Sequence, residues 1–152
     1  MLRTRLSDEL KVAMKAKDSC RTSTLRLILA ALKDRDIAAR GKGNADGIEE
    51  DEILSMLQTM VKQRKESITM YEKGGREELA AREAEEIKVI QDFLPSQLSE
   101  EETAAAVGEI ITETDAASLK DMGRTMAELR SRYAGRMDFS VASDIVKAQL
   151  SG

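Results

Sequence analysis

The chain reads as all-α, with an N-terminal four-helix region and a C-terminal three-helix bundle joined at a proline hinge. Three observations predict this. Ala, Leu, Glu, Lys, Arg and Met dominate the 152 residues while aromatic residues make up only 3%, a composition of strong helix formers. Runs of alternating β-branched residues are absent, and apolar residues recur every three to four positions. The only proline, Pro95, lies in Phe93-Leu94-Pro95-Ser96-Gln97-Leu98-Ser99. Proline lacks a backbone donor and disfavours the helical region for the residue before it, so a helix running into Leu94 stops there. The sequence therefore divides into residues 1–94 and 95–152.

Leu2, Leu6, Leu10, Ala13 and Met14 recur at helical spacing and predict a first amphipathic helix over 2–16. Asp18 or Ser19 caps a second, in which Leu25, Ile28, Leu29 and Leu32 form the buried stripe and Arg26, Lys33 and Arg40 line one flank. The run from Gly41 to Gly47 is too rich in glycine for helix and reads as a mobile loop. A third helix over about 50–73 presents Ile53, Leu57, Met60, Val61, Ile68 and Tyr71. Its acidic start, Glu49 to Glu52, suits the positive end of the helix dipole. Gly74-Gly75 ends it, and a fourth helix over about 76–94 buries Leu79, Ile87, Ile90 and Leu94.

Projecting these two helices at ~100° per residue puts Arg64 inside the apolar arc of the third, and Glu83 and Glu86 inside that of the fourth. An unpaired buried charge is costly, so Arg64 is expected to pair with one of these carboxylates across the interface, with Ser67 or Gln63 completing its hydrogen bonds. An ion pair that fixes helix register is the plain reading of this cluster, and a catalytic or ligand-binding role is the sharper one.

After the proline, Ser99-Glu100-Glu101-Glu102 has the form of a capping box. The helix that follows buries Val107, Ile110 and Ile111 and breaks at Thr114-Asp115. Ser118 caps the next, with Leu119, Met122, Met126, Leu129 and Tyr133 on its apolar side and Gly123 allowing another helix close approach. Gly135 ends it, Asp138 or Ser140 starts the last helix, and Ile145, Val146 and Leu150 anchor that one.

The formal net charge is −4, unequally spread: residues 1–42 carry 11 basic and 5 acidic side chains, residues 43–94 carry 7 and 13, and residues 95–152 carry 6 and 10. The basic N-terminal part attracts polyanions locally, although the acidic whole argues against non-specific nucleic-acid binding. There is no histidine and a single cysteine, Cys20, so an internal disulfide and a Cys-His nucleophile are excluded; Cys20 is expected to be a small buried or half-buried thiol. No apolar run approaches the ~20 residues that span a bilayer, and no secretory leader is evident at the N-terminus. A cytoplasmic protein with no metal and no cofactor is expected. No glycine-rich phosphate loop follows a strand, and the Glu49–Glu52 cluster reads as a solvated helix start. Most of the eight methionines are expected in the core.

The order of short motifs resembles the GatB/YqeY family. They are Leu25-Arg26 to Lys33; Val61-Lys62-Gln63-Arg64-Lys65-Glu66-Ser67-Ile68; Gly75-Arg76-Glu77-Glu78-Leu79 leading to Glu83; Glu86-Ile87; the proline stretch; Asp121-Met122-Gly123-Arg124; Gly135-Arg136-Met137-Asp138; and Ile145-Val146-Lys147. This chain departs from the pattern at Phe139, where a small residue or glycine is expected, and at Glu49, where Ser, Thr or Asp usually caps. The resemblance is to the stand-alone type, whose C-terminal part is similar to the tail of the GatB subunit of glutamine-dependent tRNA amidotransferase, a carbon–nitrogen ligase with glutamine as amido donor. It implies a tRNA-associated accessory module without its own catalytic centre. The exposed cations Lys120, Arg124, Arg132 and Arg136 are the candidates for phosphate contact. The alternative is a helical adaptor, without RNA binding, for a protein such as an amidotransferase or a synthetase.

Overall fold

The computed structural model describes residues 1–151, and among them it is helical with no strand. The chain forms two compact units, Met1–Pro95 and Ser96 onward. The first holds α1 (Leu2–Lys15), α2 (Ser19–Gly41), α3 (Glu50–Lys73) and α4 (Glu77–Gln91). The second holds α5 (Glu100–Glu113), a single 3₁₀ turn (Leu119–Asp121), α6 (Met122–Arg132) and α7 (Phe139–Ser151).

In the first unit α3 packs on α4, and α2 contacts both α1 and α4. Leu6, Leu25, Ile28, Ile53, Met56, Leu57 and Ile90 are fully buried between them. Burying each such side chain favours the fold by about 1.5–3 kcal/mol. Asp18 caps α2 by accepting from the Arg21 amide at 3.1 Å, as its position before the apolar stripe predicts. The Met14 side chain, expected in the core, is half exposed; it projects roughly 100° from the centre of the Leu2-Leu6-Ala13 stripe. Met1 and Met70 are exposed too, while Met56, Met60, Met126 and Met137 are core residues.

Helix α4 ends at Gln91, three residues before the expected end. Phe93 and Leu94 instead bond to the carbonyls of Ile90 and Gln91, at 3.0 and 3.1 Å, so the chain tightens into three-residue turns as it approaches Pro95. Phe93 is nonetheless part of the core, 2% exposed.

In the second unit α5, α6 and α7 pack pairwise around Val107, Ile110, Leu129, Met137, Ala142 and Val146. The capping box forms: Ser99 Oγ accepts from the Glu102 amide at 3.1 Å and Glu102 accepts from the Ser99 amide at 3.1 Å. That bond to the Ser99 amide holds the Glu102 carboxyl below its usual range. Asp138 accepts from the Ser140 amide at 2.9 Å at the start of α7. Two expectations fail here. Leu119 is 48% exposed, because it belongs to the 3₁₀ turn, where a 3.6-residue projection does not apply. Gly123 is exposed, and a Cβ built there would meet nothing within 4 Å; it lies roughly 90° from the centre of the Met122-Met126-Leu129 stripe, so no helix approaches it.

Candidate functional site

Each unit carries one group of polar side chains with the makings of a site. In the first, Arg64 of α3 is largely buried and donates from Nε to Glu86 Oε2 of α4 at 3.0 Å. Glu83, one turn earlier on α4, stands 3.9 Å from the same nitrogen. Arg64 Nη1 donates to the Met60 carbonyl at 3.3 Å, the role that the sequence offers to Ser67 or Gln63; Ser67 lies half-buried one turn along α3. Burial, and then the Glu86 charge, raise the Glu83 carboxyl above its ordinary range, against the pull of Arg64. The cluster is thus one cation facing two carboxylates, of which one is the firm partner and the other holds its proton more tightly than a solvated glutamate. The ion pair ties α3 to α4.

The second group is the set of cations expected to meet phosphate, and the structure treats them unequally. Lys120 is exposed on the 3₁₀ turn. Arg124, one turn on, is also exposed and reaches the half-buried Asp121 at 3.2 Å, a surface pair of the kind worth little. Arg132 lies between two carboxylates, Glu113 at 2.6 Å and Glu128 at 2.8 Å. Arg136 is half-buried: its Nε donates to the Ser96 carbonyl at 3.1 Å, while its own carbonyl accepts from the Leu98 amide at 2.7 Å. Gln97 donates to the Gly135 carbonyl at 2.5 Å. The Gly135-Arg136 token thus pins the Ser96-Gln97-Leu98 stretch, whereas the pairs of Arg132, like that of Arg124, lie at the surface.

Two further constellations escape the sequence reading. Arg3 forms a two-pronged ion pair with the buried Asp36, one prong at 2.7 Å, and donates to the Ile48 carbonyl at 2.6 Å. Asp36 also accepts from the Ile48 amide at 2.9 Å, so the Gly41–Gly47 connection, expected to be mobile, is tethered at its far end. These bonds, chiefly that from Arg3, hold the Asp36 carboxyl down at about 2. Gly47 is required there: its φ is +85°, and a Cβ would lie 2.3 Å from Asp36 Oδ1. Asp36 falls on the Leu25-Ile28-Leu32 face of α2, so the projection that singles out Arg64 would also have found it. Around Phe93, the Arg5 and Arg21 guanidinium groups lie 4.7 and 5.7 Å from the ring centroid. Arg21 also binds Asp92 at 2.7 Å and Glu9 at 3.2 Å. Among the described residues no group of three or more Asp, Glu, Cys or His side chains is placed to hold a metal ion.

These geometries define an all-helical protein of two small units whose best-formed polar clusters serve the fold. A family model described as "Yqey-like protein" matches residues 3–150, and the chain belongs to the YqeY family. It is also similar to proteins named "Altered inheritance of mitochondria protein 41, mitochondrial". The one from Kluyveromyces lactis is 35% identical over 111 residues, which cover 71% of this chain and 57% of that protein. The one from Lachancea thermotolerans is 37% identical over the same length and shares. That from Eremothecium gossypii is 38% identical over 104 residues, 66% of this chain and 55% of that protein. The chain thus spans little more than half the length of these relatives. Their names overturn the expectation of a cytoplasmic location. That expectation rested on one cysteine and no bilayer-spanning run, features that do not distinguish the cytosol from a mitochondrial compartment.

Proposed function

We propose that this protein is an accessory module associated with tRNA and with glutamine-dependent amidation, and that it contributes binding while another protein carries the carbon–nitrogen ligase chemistry. The observation that supports it is the exposed pair Lys120 and Arg124, a turn apart where the 3₁₀ turn meets α6. Lys120 has no ion-pair partner among the described residues, and the surface contact of the exposed Arg124 with Asp121 is weak enough to yield to a phosphate. The contact is small. Two phosphates neutralised give a log–log salt slope of about −1.8, or about a 12-fold loss of affinity between 50 and 200 mM salt. With aromatic residues at 3% of the chain, stacking platforms for single-stranded RNA are scarce, which favours recognition of a folded tRNA by shape.

Titrating purified protein with deacylated and aminoacylated total tRNA over a salt series tests this reading, beside the Lys120→Glu/Arg124→Glu variant checked for helicity. Saturable binding with that shallow slope, lost in the variant, is the expected result. Absence of binding at low salt by a folded protein refutes it and leaves the protein adaptor.

A further inference from the structure

We propose that the outward side of α2 docks an amphipathic helix of a partner protein whose flank carries aspartates and glutamates. This goes beyond the tRNA reading and does not depend on it. Helix α2 buries Leu25, Ile28, Leu32, Asp36 and Ala39. On the opposite side, Leu27, Ala30 and Ile37 form an apolar row, with Leu27 and Ile37 50% and 55% exposed. One hydrophobic residue on a surface means nothing, but a row opposite the core stripe makes α2 apolar on two sides. The row is about 15 Å long, the reach of about ten helical residues. At its N-terminal end lies a cleft of about 360 Å³ between α1 and α2, lined by Met14, Lys17, Ser19, Thr22, Ser23 and Arg26.

Arg26, Lys33 and Arg40 follow one flank of the row, each two turns from the next. Arg26 touches the Met14 sulfur at 3.9 Å and Arg40 donates its Nε to the Ala45 carbonyl at 3.2 Å. Among the described residues none of the three has an ion-pair partner. They contrast with Arg3, Arg21, Arg64 and Arg132, which all do. A row of apolar side chains one helix wide, edged by three cations that take part in no ion pair, although Arg40 also lies within electrostatic reach of Asp36, complements a helix with an apolar stripe and an acidic flank.

Other occupants fit less well. A second copy docked antiparallel through this row sets the Arg26-Lys33-Arg40 flank against itself. Docked parallel, it meets the other side of the row, where Asp34 is the single carboxylate beside Ala31, Arg35 and Ala38 and faces three cations. A lipid surface favours a broader apolar face than this row, which Asp34 interrupts. Nucleic acid gains nothing from Leu27 and Ile37.

The test uses the full chain and a synthetic 15-residue amphipathic peptide with leucines on one stripe and glutamates along one flank. The control peptide carries lysines in place of the glutamates. The glutamate peptide should bind, shift the amide resonances of Leu27, Ala30, Lys33 and Ile37, and lose at least tenfold in affinity with Leu27→Asp or Ile37→Asp. The exposed-surface variant Arg26→Glu/Lys33→Glu/Arg40→Glu should reverse the preference and take the lysine peptide. Three results overturn the proposal: no binding of the glutamate peptide, equal binding of both peptides, or resonance shifts elsewhere. Concentration-dependent self-association lost in Ile37→Asp, or flotation with phosphatidylserine vesicles lost in that variant, assigns the face to a second copy or a lipid surface and also overturns it.

Discussion

Arg64 gives its Nε hydrogen to Glu86 at 3.0 Å and leaves Glu83, one turn away on the same helix, at 3.9 Å. The two carboxylates face one cation but stand in unlike relations to it. Glu86→Gln should destabilise the first unit by about 1–3 kcal/mol, because it weakens a charge-assisted bond and leaves a largely buried guanidinium short of its counter-charge.

Glu83→Gln should act in the opposite sense at neutral pH. Burial and Glu86 raise the Glu83 carboxyl, so the folded state takes up its proton more readily than the unfolded one. Its ionisation therefore opposes folding as pH rises through its titration, and below the ordinary glutamate range the opposition is gone. The urea midpoint of Glu83→Gln should lie above that of the parent at pH 7 and merge with it in acid. A midpoint below the parent's at pH 7 contradicts this account of the cluster.

Asp36 titrates in the other direction. Its carboxyl falls from 3.8 to about 2 on folding, so its contribution is complete above the unfolded value and lost as pH drops through the folded one. The stability gap between parent and Asp36→Asn should hold steady from neutral pH to about 4.5 and close toward pH 2. At neutral pH the substitution should cost about 2–4 kcal/mol, since it loosens the Arg3 pair and weakens the acceptor of the Ile48 amide. Hydrogen exchange at Ile48 gives an independent readout, and that amide should lose protection first.

Phe93 carries two different stabilising effects. Phe93→Ala should cost about 3–5 kcal/mol through the cavity it leaves. Phe93→Leu retains most of the apolar volume and forfeits the Arg5 and Arg21 contacts, for about 1–2 kcal/mol. A double-mutant cycle pairing Phe93→Leu with Arg5→Ala should show coupling of about 0.5–1 kcal/mol. Additivity within error removes the cation–π component.

Ser99→Ala should cost about 1 kcal/mol by dissolving the cap of α5. The hydrophobic clusters of the two units share no residue, so loss of amide protection should be confined to the residues after Pro95.

Helix positions were legible because apolar spacing, Asp18, Ser99 and the glycine stops act locally. Arg64 was legible as well, since a charge inside an apolar arc demands a partner. Which carboxylate it takes was not, because Glu83 and Glu86 share that arc and only the interhelix geometry separates them. Leu119 misled because three consecutive residues adopt three-per-turn geometry, and no sequence pattern announces that change of period. The Arg3–Asp36 pair joins residues 33 apart, a closure fixed by tertiary packing. Among the candidate phosphate contacts, Arg132 and Arg136 looked equivalent to Arg124 in sequence. Glu128, one turn before Arg132, was a legible partner, but Glu113 and Ser96, which also engage Arg132 and Arg136, are remote along the chain.

The tether between Asp36 and the loop before α3 bears on how the protein can be labelled. Gly41 and Gly47 bracket one glycine-rich stretch, yet a side chain at Gly41 meets nothing within 4 Å, whereas one at Gly47 collides with the Asp36 carboxylate. A cysteine for a fluorophore or spin probe belongs at Gly41; at Gly47 the same cysteine would report on a damaged fold.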